Sequence, residues 1–315
     1  MLNIWRQSLC LILVPALLSS APAKAEPLDA AASDPNVMGW MQGFPPPDER
    51  IIGYPASDYF SFPKLRWTFC HFREIQATKR VGRGIGPVSP FAEALDPAID
   101  DVTVTPIGAT EEMTWKASLD ANYTDGMLIL HRGEIVYEYY SGCLDREGRH
   151  GAMSVTKSFV GTVAEILIAE GELDDSKLVS DYVPELKPSA FGNATVREVM
   201  DMTTGLDYNE NYADPESDIW QYAAAGDPTP KPESYAGPRN FYEFLQGVKP
   251  EGTHGEAFIY KSINTDALAW VIARATGKDF IEHLSERIWK PLGMEQEADM
   301  MIDSLGTPFS AGGLN

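Results

Sequence analysis

Between residues 126 and 140 two short apolar runs flank a polar turn. Met127-Leu128-Ile129-Leu130 is followed by Arg132-Gly133-Glu134, then by Ile135-Val136-Tyr137-Glu138-Tyr139-Tyr140, rich in β-branched and aromatic residues. The pattern predicts a β-hairpin. Its first run is apolar throughout, so that strand is expected to be covered on both faces. The period then changes. Val160, Val163, Ala164, Leu167 and Ile168 recur at helical spacing and Gly171 stops them, which predicts a buried helix opening near Ser154. After an apolar stretch from Leu178 to Leu186, Thr195 heads a helix over 196–202 that Thr203-Thr204-Gly205-Leu206 closes. The strongest helical period covers 262–277. Ala267, Leu268, Val271, Ile272 and Ala275 make its apolar face, Asn264 or Thr265 caps it, and Gly277 ends it. A further helix over 279–289 stops before Pro291.

Upstream the pattern is irregular. From residue 26 to about 110, prolines at 45–47, 55, 63, 87, 90, 97 and 106 interrupt any long helix or central strand. Trp40, Phe44, Tyr54, Tyr59, Phe60, Phe62, Trp67, Phe69 and Phe72 argue against simple disorder. Residues 26–110 therefore read as an extension wrapped on a main domain at 111–315. Gly82-Arg83-Gly84-Ile85-Gly86 follows no clear strand and opens no helix, so it reads as a plain loop. Residues 207–240 are acidic, aromatic and proline-rich, and a connection this long is either a binding loop or a packed surface excursion.

The first 25 residues have the form of a secretory leader. Arg6 precedes the apolar run Leu9–Leu18, and Ala23-Lys24-Ala25 is a small-x-small cleavage site. The run is too short to span a bilayer, and no later segment reads as a membrane span. The expected product, cleaved after Ala25, is periplasmic or secreted. Removing the leader takes two cations from a chain of net charge −21. So acidic a chain is a poor partner for nucleic acid or anionic membrane. Cys70 and Cys143 remain in an oxidising compartment, where a disulfide depends on geometry that spacing does not reveal. The five histidines are scattered, and no metal or cofactor motif is present.

Candidate chemistry lies at the mouth of the first helix. Ser154 and Lys157 stand three residues apart, on one face if helical. A serine hydroxyl becomes a nucleophile when a neighbouring base takes its proton, and a lysine of lowered pKa can serve. Chance alone supplies about one Ser-x-x-Lys in such a chain. A second, Ser61-Phe62-Pro63-Lys64, is interrupted by proline. Tyr260, just before the capped 262–277 helix, is a candidate proton shuttle beside the Ser-Lys pair.

Ser154-Val155-Thr156-Lys157, Met202-Thr203-Thr204-Gly205-Leu206, Tyr260-x-Ser262-x-Asn264-Thr265-Asp266 and Pro291-Leu292-Gly293-Met294, in that order, resemble the serine β-lactamase superfamily. The nearest likeness is to its class C-like branch of 6-aminohexanoate-dimer hydrolases and esterases. The resemblance implies an α/β (α+β) fold, an antiparallel sheet flanked by helices with an all-α insert. It implies acyl transfer from small amides or esters without cofactor or metal, with Ser154 as nucleophile, Lys157 sharing its proton and Tyr260 as general base and acid. Ser262 would stand where β-lactamases of this class carry asparagine, and Tyr212 resembles a second tyrosine that closes over substrate; both are expected to meet substrate. The alternatives are a penicillin-binding carboxypeptidase or β-lactamase, and a non-catalytic relative. The resemblance also implies a Lys-Thr-Gly or His-x-Gly strand after Ala311-Gly312-Gly313-Leu314. The chain is therefore expected to be part of a longer enzyme, with the hairpin edge unpaired and the isolated chain poorly soluble and inactive.

Overall fold

The computed structural model describes residues 27–53 and 58–315. The expected leader lies outside them, as do Tyr54 and Pro55. The proline-broken extension folds as three one-turn helices, α1 (Pro35–Met38), α2 (Leu65–Thr68) and α3 (Phe72–Ile75), followed by strand β1 (Thr78–Val81). Pro35 opens α1, where its missing N–H costs nothing, and the Asp34 carboxylate accepts the next two amides. Two-residue strands β2 (Ala92–Glu93), β3 (Thr103–Val104) and β4 (Met113–Thr114) lead to α4 (Trp115–Ala121), which the Thr114 hydroxyl caps.

The hairpin forms as expected, from β5 (Gly126–His131) and β6 (Glu134–Tyr140). Arg132 and Gly133 both have positive φ, the two-residue turn whose twist suits the flanking strands. β2 joins β6 in parallel, so the sheet order is β2-β6-β5 and β5 is an edge. The expected cover on both faces of β5 is not seen. Leu128 and Leu130 are 45% and 43% exposed among the described residues, because alternate side chains leave the strand on opposite faces and only one face meets the body.

The chain continues through α5 (Thr156–Ala169), α6 (Val179–Tyr182), α7 (Val196–Met200), β7 (Leu206–Asp207), α8 (Asp218–Gly226), α9 (Phe241–Gly247), β8 (Lys249–Pro250), α10 (Ile263–Thr276), α11 (Phe280–Leu284) and β9 (Ala298–Met301). Thr195 and Glu198 close a reciprocal capping box on α7. All residues of α10 from Ile263 to Ile272 are buried, which makes it the central helix. α5 packs against it and buries Val160, Val163, Ala164 and Leu167. Asn264 and Thr265 do not cap α10. The helix already begins at Ile263, and both lie buried inside it.

Links of several kinds hold the extension to this body besides the β2–β6 pairing. β1 pairs antiparallel with β9, Thr78 opposite Met301. Cys70 and Cys143 form a disulfide, with Cα atoms 5.9 Å apart. Arg66 meets Asp125 at 2.9 Å in a pair whose side chains are only 4% and 6% exposed. Trp40, Ile52, Trp67 and Ile75 make a small separate core beneath these links. No described helix is long and apolar enough to cross a membrane.

Candidate active site

The segment before Ser154 is clamped from two sides. The Gly151 amide donates to the Phe69 carbonyl of the extension at 2.7 Å, and the Ala152 amide donates to the Leu314 carbonyl at 2.8 Å. A Cβ on Gly151 would lie 2.4 Å from the Phe72 ring, so only glycine admits this approach. Met153 then adopts φ +45°, a conformation unfavourable to a side chain that the two clamps hold in place. A single 3₁₀ turn, Met153–Val155, carries Ser154 and runs into α5.

Lys157 follows on the first turn of α5. Its Nζ donates to Ser154 Oγ at 3.0 Å and to the Ala311 carbonyl at 2.6 Å. Tyr260 arrives from 106 residues away, and its hydroxyl donates to the same Oγ at 2.8 Å. The Lys157 ammonium also lies 5.0 Å from the centre of the Tyr260 ring. One serine oxygen therefore receives both an ammonium and a phenol. Ser61-Phe62-Pro63-Lys64 assembles nothing comparable. Lys64 pairs with Asp58 at 2.6 Å, and the Ser61 hydroxyl turns back to the Asp58 carbonyl.

The Met202–Leu206 stretch positions Tyr260. Met202 has positive φ, its carbonyl accepts the Ile259 amide at 3.0 Å, and the Thr203 carbonyl accepts the Gly255 amide at 2.8 Å. The Thr204 hydroxyl donates to Asn264 Oδ1 at 2.6 Å, and Asn264 Nδ2 donates to the Lys261 carbonyl at 3.1 Å. Lys261 is buried, donates to the Leu206 carbonyl, and has its pKa lowered by that burial. Asn264, which read as a cap in the sequence, thus fastens the lead-in to α10.

Ser262 and Tyr212 meet at one carboxylate rather than at Ser154. Glu210 accepts the Ser262 amide and hydroxyl, each at 2.6 Å, and the Tyr212 hydroxyl at 2.7 Å. Ser262 is buried, and its hydroxyl is spent on Glu210. Glu210 thereby ties residues 207–240 to the base of α10. Tyr212 is exposed, and it lines a hollow of about 220 Å³ with Ala213, Pro215 and Trp220. Its phenol pKa is raised, by partial burial first and then by Glu210.

One site residue was not singled out for a role in the sequence. Asp266 lies wholly inside the core, where burial pushes its carboxyl up to about 7 against the opposing pull of the Tyr222 hydroxyl and the Lys157 ammonium. The signal was a lone acid among the apolar residues of the 262–277 pattern, since carboxylates are rarely buried without a partner. No group of three or more metal-ligating side chains occurs among the described residues.

A serine beside a lysine one helical turn on, with a tyrosine from a distant loop on the same oxygen, is the arrangement of serine acyl-transfer proteins. The chain belongs to the beta-lactamase family, whose model matches residues 120–296, more than half of its length. It is 33% identical over 295 residues to a 6-aminohexanoate-dimer hydrolase of Paenarthrobacter ureafaciens, covering 91% of this chain and 65% of that one. A Bacillus anthracis structure assigned as a 6-aminohexanoate-dimer hydrolase superposes with a TM-score of 0.75 at 33% identity, over 82% of this chain and 66% of that one. A Providencia stuartii beta-lactamase is 45% identical over 53 residues, 17% of this chain and 14% of its own. The chain thus spans a little under two thirds of the length of its 6-aminohexanoate-dimer hydrolase relatives.

Proposed function

We propose that this chain carries the nucleophile and proton-transfer groups of a serine hydrolase that cleaves small amides or esters, of the 6-aminohexanoate-oligomer type. The observation that carries the reading is the shared Ser154 Oγ, within hydrogen-bond distance of both Lys157 Nζ and Tyr260 OH. In acylation Oγ bonds to the substrate carbonyl carbon while its proton passes to the Tyr260–Lys157 pair, which takes it up as a phenolate beside the ammonium, the form one proton short of a phenol plus an ammonium. The tetrahedral oxyanion then collapses, the C–N or C–O bond breaks, and the pair returns that proton to the departing amine or alcohol. Water repeats the sequence on the acyl-enzyme and releases the acid and free Ser154. The Lys157 ammonium stabilises the negative charge that moves between Oγ and the phenol. The N-terminal end of the 14-residue α5 favours the oxyanion at Ser154.

The hollow lined by Tyr212 and Trp220 supports a small, partly apolar substrate group. The Cys70–Cys143 disulfide supports export, with the leader removed after Ala25. The test is p-nitrophenyl butyrate and 6-aminohexanoate-dimer hydrolysis, with a fluorophosphonate probe to mark the nucleophile. In a chain spanning the full length of these relatives, wild type should turn over and be labelled at Ser154, and Ser154→Ala should lose both. Labelling elsewhere, or none, defeats the reading. Rapid acylation and release of a fluorescent penicillin, without amide or ester turnover, would transfer it to β-lactam chemistry.

A further inference from the structure

We infer that Asp266 is a positioning residue for Lys157 and Ser154, acting through the backbone at Ala311; the inference rests on Ser154 being the nucleophile. One Asp266 oxygen accepts the Ser310 amide at 2.8 Å and the Ala311 amide at 3.3 Å. The Ala311 carbonyl in turn accepts Lys157 Nζ at 2.6 Å, and the same Nζ reaches Ser154 Oγ at 3.0 Å. The two peptide planes flanking Ala311 are therefore bound on opposite sides, one by a carboxylate and the next by the lysine. Releasing the first frees the second to turn away. Lys157 is a flexible ammonium on a four-carbon stem, so its direction depends on what it donates to.

The second Asp266 oxygen accepts the buried Tyr222 hydroxyl of α8. That helix belongs to the 207–240 connection, which also carries Tyr212. Asp266 thus joins three separate segments at one point: α8, the central helix α10, and the 310–311 backbone. A buried carboxylate without a direct ion pair is costly, and an amide or an apolar residue would serve packing alone at less cost. What a carboxylate adds is charge. Lys157 faces it from α5, Tyr222 from α8 and Tyr208 from the segment before α8, while Glu210 acts on Tyr222. Among these groups only the lysine is a cation, so the Asp266 charge both orients the backbone acceptor and balances the catalytic ammonium.

Fluorophosphonate acylation of the full chain between pH 5.5 and 9 tests this in wild type, Asp266→Asn, Asp266→Ala and Ser154→Ala, together with amide hydrogen exchange of residues 310–314. Wild-type acylation should fall on the acid side with a midpoint near 7, as Asp266 takes up its proton. Asp266→Asn retains an acceptor but no charge. It should acylate about ten- to a hundredfold more slowly at pH 8 and lose that acid limb. Asp266→Ala should speed exchange at 310–314 at least tenfold while Val160–Leu167 stays protected. A wild-type rate and limb in Asp266→Asn would overturn the catalytic role with the Ser154 reading intact. Unchanged exchange in Asp266→Ala would overturn the anchor itself. A wild type that is never labelled at Ser154 would overturn the nucleophile reading and the positioning role with it, and the exchange result would still decide the anchor.

Discussion

Asp125→Asn tests how firmly the extension is tied to the segment before Ser154. Asp125 Oδ1 meets Arg66 Nη2 at 2.9 Å, and Oδ2 lies 3.3 Å from His150 Nε2, one residue before the Gly151 clamp. Arg66 also donates to the Ala30 carbonyl and the Ser33 hydroxyl, which tie it further into the extension. Unit charges 2.9 Å apart attract by about 6 kcal/mol at an effective dielectric of 20, and desolvation opposes most of that. Neutralising only Asp125 removes the attraction but leaves the guanidinium buried, which costs about 3–5 kcal/mol. At about 2 °C per kcal/mol for a chain of this size, the midpoint should drop by roughly 6–10 °C. Calorimetry, with urea unfolding as a second probe, reads the change. Arg66→Met with Asp125→Leu should recover part of the loss, since no charge stays buried, but not all of it, because the Ala30 and Ser33 acceptors lose their donor. A shift below about 1 °C in Asp125→Asn would refute the reasoning, and so would a double variant less stable than the single one.

Three further outcomes are expected. Tyr260→Phe removes the hydroxyl donated to Ser154 Oγ, so esterase turnover and fluorophosphonate labelling should both fall by about 10²- to 10⁴-fold with the melting temperature within a degree or two of wild type. Asp266 has a folded pKa raised to about 7 from 3.8, so the folded state binds its proton the more tightly; this contribution is fully present below about pH 4 and is lost as pH rises through about 7. Stability should therefore decline over that window by at most about 4 kcal/mol, and urea unfolding at pH 5 and pH 8 should show a smaller decline in Asp266→Asn. Reducing Cys70–Cys143 opens a loop closed across a separation of 73 residues, which loop entropy values at about 4 kcal/mol; calorimetry with and without a phosphine reductant should show the loss, and an unchanged midpoint would contradict the link.

What the sequence determined by itself was local. Ser154 and Lys157 share a helical face because three residues make most of a turn, and that relation holds before anything else folds. The Arg132-Gly133 turn and the Thr195 cap were legible for the same reason: each is decided within a few residues by backbone geometry. The resemblance carried further, to Tyr260 and to the fold class, through ordered motifs that no spacing rule explains.

The tertiary structure decided everything that depends on distance across the chain. It set Tyr260 on the Ser154 oxygen through the Met202 and Thr203 carbonyls, and turned Ser262 and Tyr212 toward Glu210. It resolved Cys70 and Cys143 into a bond, and left Leu128 and Leu130 exposed on an edge that an apolar run had suggested was covered. It also made Asp266, an acid inside an apolar helix pattern, a hub for three segments. The physical reason is common to all of these. Periodicity reports which face of an element is apolar, whereas the partner that meets that face, or the polar group buried within it, is chosen by packing between segments far apart in the chain.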